Sequence, residues 1–310
     1  MKKIKIFTPA TIANLSCGFD VLGLCLDNVG DEMTIRKSDQ KGVRITKITG
    51  ADLPLETEKN VAGVAALAML NQWETDFGFD IEIHKHIKAG SGIGSSAASA
   101  AGAVFGINEL LGRPFELKDL VPFAMQGEKL ASGSAHADNV APALLGGFTL
   151  VRSYDPLDII KIDSPSELYA TVIHPQIELK TSDARSVLKQ NITLKSAIIQ
   201  WGNVGGLIAG LYTQDYDLIG RSLHDEIVEP LRSVLIPGFD QVKYAAIRNG
   251  ALGAGISGSG PSIFALSKGK ETAENVALAM RKVYDEMNLP YEIHISKINA
   301  NGMKIISQEQ

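Results

Sequence analysis

The chain has 310 residues, of which 45% are hydrophobic and 21% are charged, a balance typical of globular proteins with a sizeable core. At about 150 residues per domain, this length predicts two domains. The formal net charge of −5 gives no electrostatic support for binding nucleic acid or an acidic membrane, so we expect neither partner.

The cysteine content and the termini also restrict the class of protein. Cys17 and Cys25 are too few for a disulfide framework or a structural zinc site, and we expect free, buried thiols. The N-terminal residues lack the apolar stretch of a secretory signal, and no run approaches the roughly 20 apolar residues of a membrane span. The expected location is therefore the cytoplasm.

The first half of the chain predicts mixed strands and helices. Short alternating runs predict strands, and longer stretches rich in alanine and leucine predict helices. The predicted elements are strands at 5–7, 43–48 and 79–83, helices at 61–73, 95–111 and 116–131, and a strand at 148–151 after a Gly-Gly break.

The second half of the chain also predicts mixed strands and helices, after a predicted linker. Residues 154–166 contain two prolines and several turn-forming residues, and the predicted boundary near their start divides the chain into domains 1–155 and 156–310. The predicted elements are strands at 169–174, 262–266 and 291–298, and helices from 182 to about 221, at 239–248 and at 271–287. This order predicts an α+β sandwich.

A glycine-rich loop separates the strand at 79–83 from the helix at 95–111. Its sequence is Gly90-Ser91-Gly92-Ile93-Gly94-Ser95-Ser96. Glycines let backbone N–H groups approach an anion, and the helix start adds unsatisfied donors and a positive dipole end. No Gly-Lys-Ser/Thr follows, and the third glycine of a dinucleotide fingerprint is missing. A tight turn without a ligand remains the alternative for the loop alone.

Five segments, in order along the chain, resemble the GHMP kinase superfamily of small-molecule kinases and, within it, the homoserine kinase family. They are 9–23 (PATIANLSCGFDVLG), the glycine loop, 136–142 (HADNVAP), 181–185 (TSDAR) and 255–262 (GISGSGPS). Two positions depart from the family pattern, because Lys88 replaces a common proline and Ile93 replaces the commoner leucine. Neither change removes a backbone donor from the loop.

The resemblance implies a fold and an activity. The implied fold has an N-terminal domain similar to ribosomal protein S5 domain 2, with a left-handed βαβ crossover, and a ferredoxin-like C-terminal domain, with the active site between them. The implied reaction moves the γ-phosphate of ATP, with Mg²⁺, onto the hydroxyl of L-homoserine. Family members are often dimers, so the resemblance also suggests a homodimer.

The resemblance assigns the nucleotide and metal side of the site. The loop from Gly90 to Ser96 is expected to hold the ATP phosphates, and Asn60 is expected in the nucleotide pocket. Ser96 and Glu128 match the positions that hold Mg²⁺, an ion that prefers hydroxyl, carboxylate and phosphate oxygens. For Glu128 the residue type alone would favour a solvated helix position.

The acceptor side is assigned in the same way. Arg185 and Arg232 match the carboxylate-binding positions, where a guanidinium can form two parallel hydrogen bonds. Thr181 is expected to line this side. The residues expected to meet the amino group or the hydroxyl are Asn14, Asp20, His136 and Asn139.

The sequence does not decide which residue, if any, accepts the hydroxyl proton. Asn139 stands where many relatives carry an aspartate, and an amide cannot accept the hydroxyl proton. Asp138 is adjacent, but neighbouring side chains usually point in different directions. We therefore expect catalysis by alignment and charge stabilisation, with Glu128, Ser96, Asn139 and Arg185 in the catalytic set.

Three alternatives remain in view. One is a sister GHMP kinase, such as mevalonate kinase, and another is a non-catalytic regulator that keeps the fold and binds ligand. A nicotinamide oxidoreductase is disfavoured by the missing third glycine. The run His84-Lys85-His86 offers two histidines on one strand face but no third ligand, so we expect a solvated strand rather than a metal site.

Overall fold

The computed structural model describes residues 2–177, 179 and 181–309, without the side chains of residues 181 and 182. The strands in this part of the chain are β1 (Lys3–Ala13), β2 (Leu22–Ser38), β3 (Gly42–Thr49), β4 (Gly78–His84), β5 (Phe148–Tyr154), β6 (Leu157–Ile162), β7 (Leu168–Pro175), β8 (Gly253–Ile256), β9 (Ile263–Lys268), β10 (Tyr291–Lys297) and β11 (Lys304–Glu309). No helix within these residues is long and apolar enough to cross a membrane.

The helices follow the predicted order, with more breaks than the sequence indicates. They are α1 (Val61–Leu70), α2 (Ser95–Leu110), α3 (Val121–Ser132), α4 (Val140–Leu145), α5 (Thr181–Ser186), α6 (Leu194–Thr213), α7 (Tyr216–Ser222), α8 (Glu229–Arg232), α9 (Phe239–Arg248) and α10 (Lys270–Glu286). Short 3-10 turns precede α1 and α3 and follow α8.

The first sheet has the order β11-β1-β2-β4-β3, and β5 and β6 extend it from β2. The 17-residue β2 organises this sheet, because it pairs with β1, β4 and β5. β3 and β4 are parallel and are connected through α1, which makes a βαβ unit. The sequence did not predict β2, since its run Asp27-Asn28-Val29-Gly30-Asp31 interrupts the hydrophobic alternation.

Helices α1 to α4 pack on this sheet around one large core. α2 is buried along nearly its whole length, which its small residues permit. A Cβ at Gly106 would meet the Ile35 side chain, and one at Gly102 would meet Thr8, so glycine lets α2 lie directly on the sheet. This close packing fixes where the start of α2 meets the glycine loop.

The second sheet is antiparallel, with the order β10-β7-β9-β8. α9 and α10 cover one face around a separate core. The other face shares a core with α6, α7 and strands of the first sheet. Numbered within this half, the order is 4-1-3-2 with helices in both crossovers, which is the ferredoxin-like arrangement expected from the resemblance. The predicted fold class is confirmed.

The first sheet includes strands that lie beyond the predicted domain boundary. The predicted division at residue 155 falls in the turn between β5 and β6, and both strands belong to the first sheet. β11, from the C-terminal end, pairs with β1 of the same sheet. The division into domains 1–155 and 156–310 stays a prediction, and the first sheet takes strands from both sides of it.

Candidate active site

A cleft of about 680 Å³ opens between the two halves and collects most of the predicted site residues. Its walls come from the turn before β2, the glycine loop, α3, the start of α4, α5 and the second glycine segment. The predicted residues that line it are Asn14, Asp20, Gly90, Ser91, Gly92, Gly94, Ser95, Ser96, Glu128, His136, Asn139, Arg185 and Arg232.

The glycine loop uses left-handed backbone at every second residue. Gly90, Gly92 and Gly94 have φ values of 73°, 80° and 71°, a region that L side chains rarely adopt. A Cβ at Gly92 would lie 2.7 Å from the carbonyl oxygen of Ser257 and 2.6 Å from that of Gly260. A Cβ at Gly90 would meet nothing within 4 Å, because this side of the loop faces the open cleft. Gly94 begins α2, whose first N–H groups lack intrahelical partners and can donate to an anion.

The second glycine segment, residues 255–262, supports the loop from below. Ser257 Oγ donates a 2.7 Å hydrogen bond to the Gly92 carbonyl, and Ser262 Oγ donates a 2.6 Å bond to the Ser91 carbonyl. These bonds occupy the carbonyl oxygens of Ser91 and Gly92, while the Ser91 N–H donates to Lys88 O at 3.3 Å. The two glycine-rich motifs therefore form one structural unit.

Glu128 and Ser96 have the features of a cation site. Glu128 projects from α3, is 7% exposed, and its Oε1 has no hydrogen-bond partner among the described residues. Burial raises the pKa of Glu128 to about 7, against the lowering effect of the neighbouring Ser96 hydroxyl. An unpartnered buried carboxylate oxygen beside a hydroxyl fits a divalent cation. Because the described residues hold no group of three or more histidine, cysteine or acidic ligands, further oxygens would have to come from phosphate or water.

Lys85 was missed by the sequence analysis, which considered only the two histidines of the run 84–86. Lys85 is 5% exposed and lines the cleft. Its ammonium forms an ion pair with Asp31 and donates to Ser95 O at 2.8 Å and Ser99 Oγ at 3.1 Å. Burial lowers the pKa of Lys85, while the Asp31 carboxylate opposes that shift.

Asp31 also holds the chain that enters the loop. Its Oδ1 accepts the backbone N–H groups of His86 at 2.6 Å and Ile87 at 2.8 Å. Nothing local in the sequence marks this pair, because Asp31 and Lys85 lie 54 residues apart. Only the pairing of β2 with β4 brings them together.

At the opposite end of the cleft, Arg185 binds Asp20. Its Nη2 donates to Asp20 Oδ1 at 3.0 Å and its Nη1 to Oδ2 at 3.2 Å, and Nη2 also lies 3.0 Å from His136 Nε2. Burial lowers the pKa of His136, whereas the nearby Asp20 carboxylate acts to raise it. One of the two predicted carboxylate-binding arginines is therefore already neutralised by a protein carboxylate.

Arg232 has a different environment, because it is 2% exposed and no ion pair among the described residues includes it. Its Nε donates to Ala184 O at 2.8 Å and its Nη1 to Gly258 O at 3.2 Å. The guanidinium carbons of Arg232 and Arg185 lie 5.0 and 5.4 Å from the ring centre of Phe19. Burial and the nearby Arg185 charge lower the pKa of Arg232 to about 10. A small anion in the cleft would relieve this cost.

The turn that carries Asn14 and Asp20 is strained. Asn14, Leu15 and Ser16 have φ values of 73°, 47° and 59°, and Asp20 has 60°, all left-handed without glycine. Asn14 holds the turn by donating from Nδ2 to Gly258 O at 2.7 Å and accepting the Asp20 N–H on Oδ1 at 3.0 Å. The Gly258 carbonyl thus joins this turn to Arg232.

Asn139 and Asp138 both line the cleft. Thr11 Oγ1 donates to Asn139 Oδ1 at 2.7 Å, which leaves the Asn139 amide N–H₂ as a donor. Asp138 is buried, and burial, followed by the charges of Asp20 and Glu128, raises its pKa to about 7. The Asp138 side of the cleft therefore contains a carboxyl group whose pKa is near neutral.

Asn60 does not line the cleft, although it was expected in the nucleotide pocket. Its Oδ1 accepts the Ala62 N–H at 3.0 Å and its Nδ2 donates to Pro54 O at 2.8 Å, so its buried amide caps α1. The contact of Asn60 with the nucleotide stays a prediction. The neighbouring Val61 is the residue of this segment that faces the cleft.

Ile93 and Thr181 are the two remaining predicted site residues. Ile93 is 3% exposed and packs in the core shared by both halves, so only its backbone belongs to the loop. The side chain of Thr181 lies outside the described residues, and its predicted contact with the acceptor stays a prediction.

Comparisons with known proteins agree with this geometry. Residues 60–147 match the family "GHMP kinases N terminal domain" and residues 207–286 match "GHMP kinases C terminal". The homoserine kinases of Chlorobium phaeobacteroides and Chloroherpeton thalassium are 50% and 48% identical to this chain, over 99% of its length and 100% of theirs. The crystal structure of homoserine kinase from Cytophaga hutchinsonii superposes with a TM-score of 0.95 at 57% identity, covering 99% of this chain and 98% of that one.

The fold and the two glycine segments define a GHMP-type small-molecule kinase. Within that class, the chain belongs to the homoserine kinase family. The resemblance stated from the sequence is confirmed.

Proposed function

We propose that the protein is an ATP-dependent kinase that phosphorylates the hydroxyl of L-homoserine to give O-phospho-L-homoserine. The observation that carries the proposal is one cleft with an anion-binding loop at one end and, at the other, the buried guanidinium of Arg232 beside the carboxylate of Asp20. A zwitterionic amino acid matches this pair, because it carries one carboxylate and one ammonium. The relatives at about 50% identity over the full chain support the same acceptor.

The phosphate end binds the nucleotide in this proposal. Backbone N–H groups of the loop and of the start of α2 hold the polyphosphate, and the Lys85–Asp31 ion pair holds the start of α2 in place through the Ser95 carbonyl. Glu128 and Ser96 would hold Mg²⁺, which supplies charge neutralisation on the transferring phosphate when it is bound. The unpartnered Glu128 Oε1 supports this assignment.

The acceptor end positions the alcohol. Arg232 receives the α-carboxylate and Asp20 the α-ammonium, while Arg185 and His136 hold Asp20 in place. Asn14 and Asn139 are left to orient the hydroxyl. Both arginines were expected to pair with the substrate. Of the two, Arg232 has no carboxylate partner among the described residues, so we assign it the larger share of binding to the α-carboxylate.

The reaction follows from this alignment. The acceptor oxygen forms a bond to the γ-phosphorus, the bond between that phosphorus and the β,γ-bridging oxygen breaks, and ADP leaves with the electron pair. The hydroxyl proton leaves through the phosphate or solvent, because Asn139 cannot accept it. Catalysis then depends on positioning and on stabilisation of the transferring charge.

Further parts of this proposal are the ion, the compartment and the assembly. We infer Mg²⁺ as the ion, the cytoplasm as the compartment and a homodimer as the assembly. The two free, buried cysteines are compatible with a reducing compartment.

A coupled assay of ADP formation tests the activity. With ATP and Mg²⁺, we expect turnover with L-homoserine well above that with L-serine, mevalonate or galactose. L-Homoserinol, which lacks the α-carboxylate, should be a poor acceptor because Arg232 would stay buried and unpaired. Turnover that is faster with mevalonate, or absent with every alcohol, would contradict the proposal.

A further inference from the structure

The buried side chain of Gln200 links α6 to the strained turn and to the segment that leads into α8. Gln200 is 7% exposed, and no motif of the sequence analysis includes it. Its Nε2 donates to the Cys17 carbonyl at 2.7 Å and to Asp225 Oδ1 at 3.0 Å. Its Oε1 accepts the Glu226 N–H at 2.9 Å. Both amide hydrogens are therefore used, and they go to two different segments of the chain.

Asp225 is the point where this network meets α8. The residue is 4% exposed. Its Oδ1 accepts the N–H groups of Ile227 at 2.9 Å and Val228 at 3.0 Å, and its Oδ2 accepts the Glu229 N–H at 2.8 Å. A carboxylate that accepts several backbone N–H groups sets the conformation of that segment. Because α8 begins at Glu229 and ends at Arg232, a shift of Asp225 would move Arg232 with the helix.

At its other end, the network meets the turn that carries Asp20. Left-handed residues such as Asn14 and Asp20, with φ values of 73° and 60°, persist only where their surroundings hold them. Within the turn, the Gly18 N–H donates to Asn14 O at 2.8 Å and the Asp20 N–H to Asn14 Oδ1 at 3.0 Å. Gln200 adds a hydrogen bond from another element to the Cys17 carbonyl. The turn is therefore held from α6 at a point three residues before Asp20.

We propose that Gln200 is a positioning residue of the acceptor site, which fixes the separation between the turn of Asp20 and the helix of Arg232. This inference rests on the proposed function, in which Asp20 and Arg232 receive the ammonium and the carboxylate of one amino acid. Those two groups lie a fixed distance apart in the acceptor, so a change in the separation weakens one contact or the other. The Gly258 carbonyl already joins Asn14 to Arg232. Gln200 adds a second link, and two links fix an orientation that one link leaves free to pivot.

The chemistry of this link requires an amide at position 200. The Cys17 carbonyl and the Asp225 carboxylate are both acceptors, so the linking side chain must donate twice, and the Glu226 N–H needs an acceptor on the same side chain. Methionine at this position would supply no donor to either acceptor, and glutamate would place a second negative charge against Asp225. Gln200 does not line the cleft itself, so either change would act on the acceptor through the turn and α8.

Steady-state kinetics of the full chain, with L-homoserine and ATP varied separately, test the inference. We expect Gln200→Met to raise the KM for L-homoserine about tenfold and to leave the KM for ATP within about twofold. Gln200→Glu keeps the shape and the acceptor for the Glu226 N–H, and should raise the KM for L-homoserine at least as much. The matched control is Asn203→Leu, one turn further along α6, because Asn203 Nδ2 donates instead to the His224 carbonyl at 3.0 Å. This control should leave both KM values unchanged.

A double variant separates positioning from a general loss of stability. If Gln200 acts through Arg232, then Gln200→Met combined with Arg232→Leu should raise the KM for L-homoserine less than about 100-fold, below the roughly 300-fold product of separate effects of about tenfold and about 30-fold. Three results would overturn the inference: a fully multiplicative effect, equal rises in both KM values, or failure of both Gln200 variants to fold by circular dichroism. Absence of turnover of L-homoserine by the wild type would instead refute the proposed function, and this inference with it.

Discussion

At the proposed phosphate end of the cleft, the lining comes mainly from one short stretch of chain, Gly90 to Ser96. At the proposed acceptor end, the lining side chains come from four distant places, Asp20, His136, Arg185 and Arg232. Ligand binding at the first end should therefore depend on the shape of the backbone, and ligand binding at the second end on how the charged side chains are paired. Substitutions should act through geometry at one end and through electrostatics at the other.

Glu128 is the point where the phosphate end does depend on a side-chain charge. We expect Glu128→Gln to lower kcat/KM by about 10²- to 10³-fold, because the neutral amide would hold a divalent cation poorly. Excess Mg²⁺ should restore part of the activity. Steady-state kinetics at several Mg²⁺ concentrations measure this effect.

The matched control is Glu74→Gln, an exposed carboxylate outside the cleft, which should behave as wild type. If Glu128→Gln retained full activity at low Mg²⁺, Glu128 would not be a metal ligand.

The dependence on backbone shape is tested by a pair of glycine substitutions. Gly92→Ala should lower kcat/KM for ATP by about 100-fold, since its Cβ would push against the Ser257 and Gly260 carbonyls and displace the loop by a fraction of an ångström or more. Gly90→Ala has a similar φ but open space around its Cβ, and should lose less than about tenfold. Nucleotide binding measured by calorimetry compares the two.

Equal losses in the two variants would mean that φ strain alone, rather than contact with the second glycine segment, governs the loop. A loss confined to kcat, with ATP affinity unchanged, would argue that the loop does not bind the phosphates.

The contrast between the two ends also explains what the sequence could reveal. The loop is local, so residue type and spacing predicted its position and the helix that follows it. The second glycine segment was recognised, but its support of the loop through Ser257 and Ser262 was not, because that contact joins residues about 165 apart. The pair Asp31–Lys85 had no local signal for the same reason.

At the acceptor end the residues were assigned by resemblance, and their pairing could not be predicted. Arg185 and Arg232 looked equivalent as residue types, yet one binds Asp20 and the other has only carbonyl partners among the described residues. Asn60 was assigned to the nucleotide pocket from its motif position, but its side-chain amide caps helix α1. Such choices depend on long-range packing rather than on local pattern.

Arg232→Leu tests whether the unneutralised guanidinium binds the acceptor carboxylate. We expect the KM for L-homoserine to rise by about 30-fold with little change in the KM for ATP, as for the loss of one charged hydrogen-bonding pair. The control Arg221→Leu changes an exposed arginine of α7 and should have no effect.

An unchanged KM for L-homoserine in Arg232→Leu would refute the assignment. If Arg185→Leu instead gave the larger effect, the Asp20 pairing would have to open when the acceptor binds.

The titration of Glu128 gives a pH dependence at the phosphate end. Its pKa is about 7, above that of an ordinary glutamate, so the buried carboxyl favours the folded state while it is protonated. That contribution to stability is present at low pH and is lost as the pH rises through 7. Cation binding needs the ionised form, so the affinity for Mg²⁺ and ATP together should fall about fivefold from pH 7 to pH 6.

Calorimetry in buffers of different ionisation enthalpy should detect proton release on binding at pH 6. Glu128→Gln is the control, because it removes this proton and keeps any titration of the nucleotide itself. The same proton release in both proteins would show that Glu128 does not titrate in this range.

Asp138 is the residue that could overturn the proposed alignment mechanism, since its pKa of about 7 suits a general base. We expect Asp138→Asn to change kcat by less than about tenfold, because a general base typically contributes about 10²- to 10⁴-fold and none is required here. The pH dependence of kcat should also persist in the variant. A loss of 10³-fold at unchanged KM, together with a flat pH profile, would instead make Asp138 the proton acceptor.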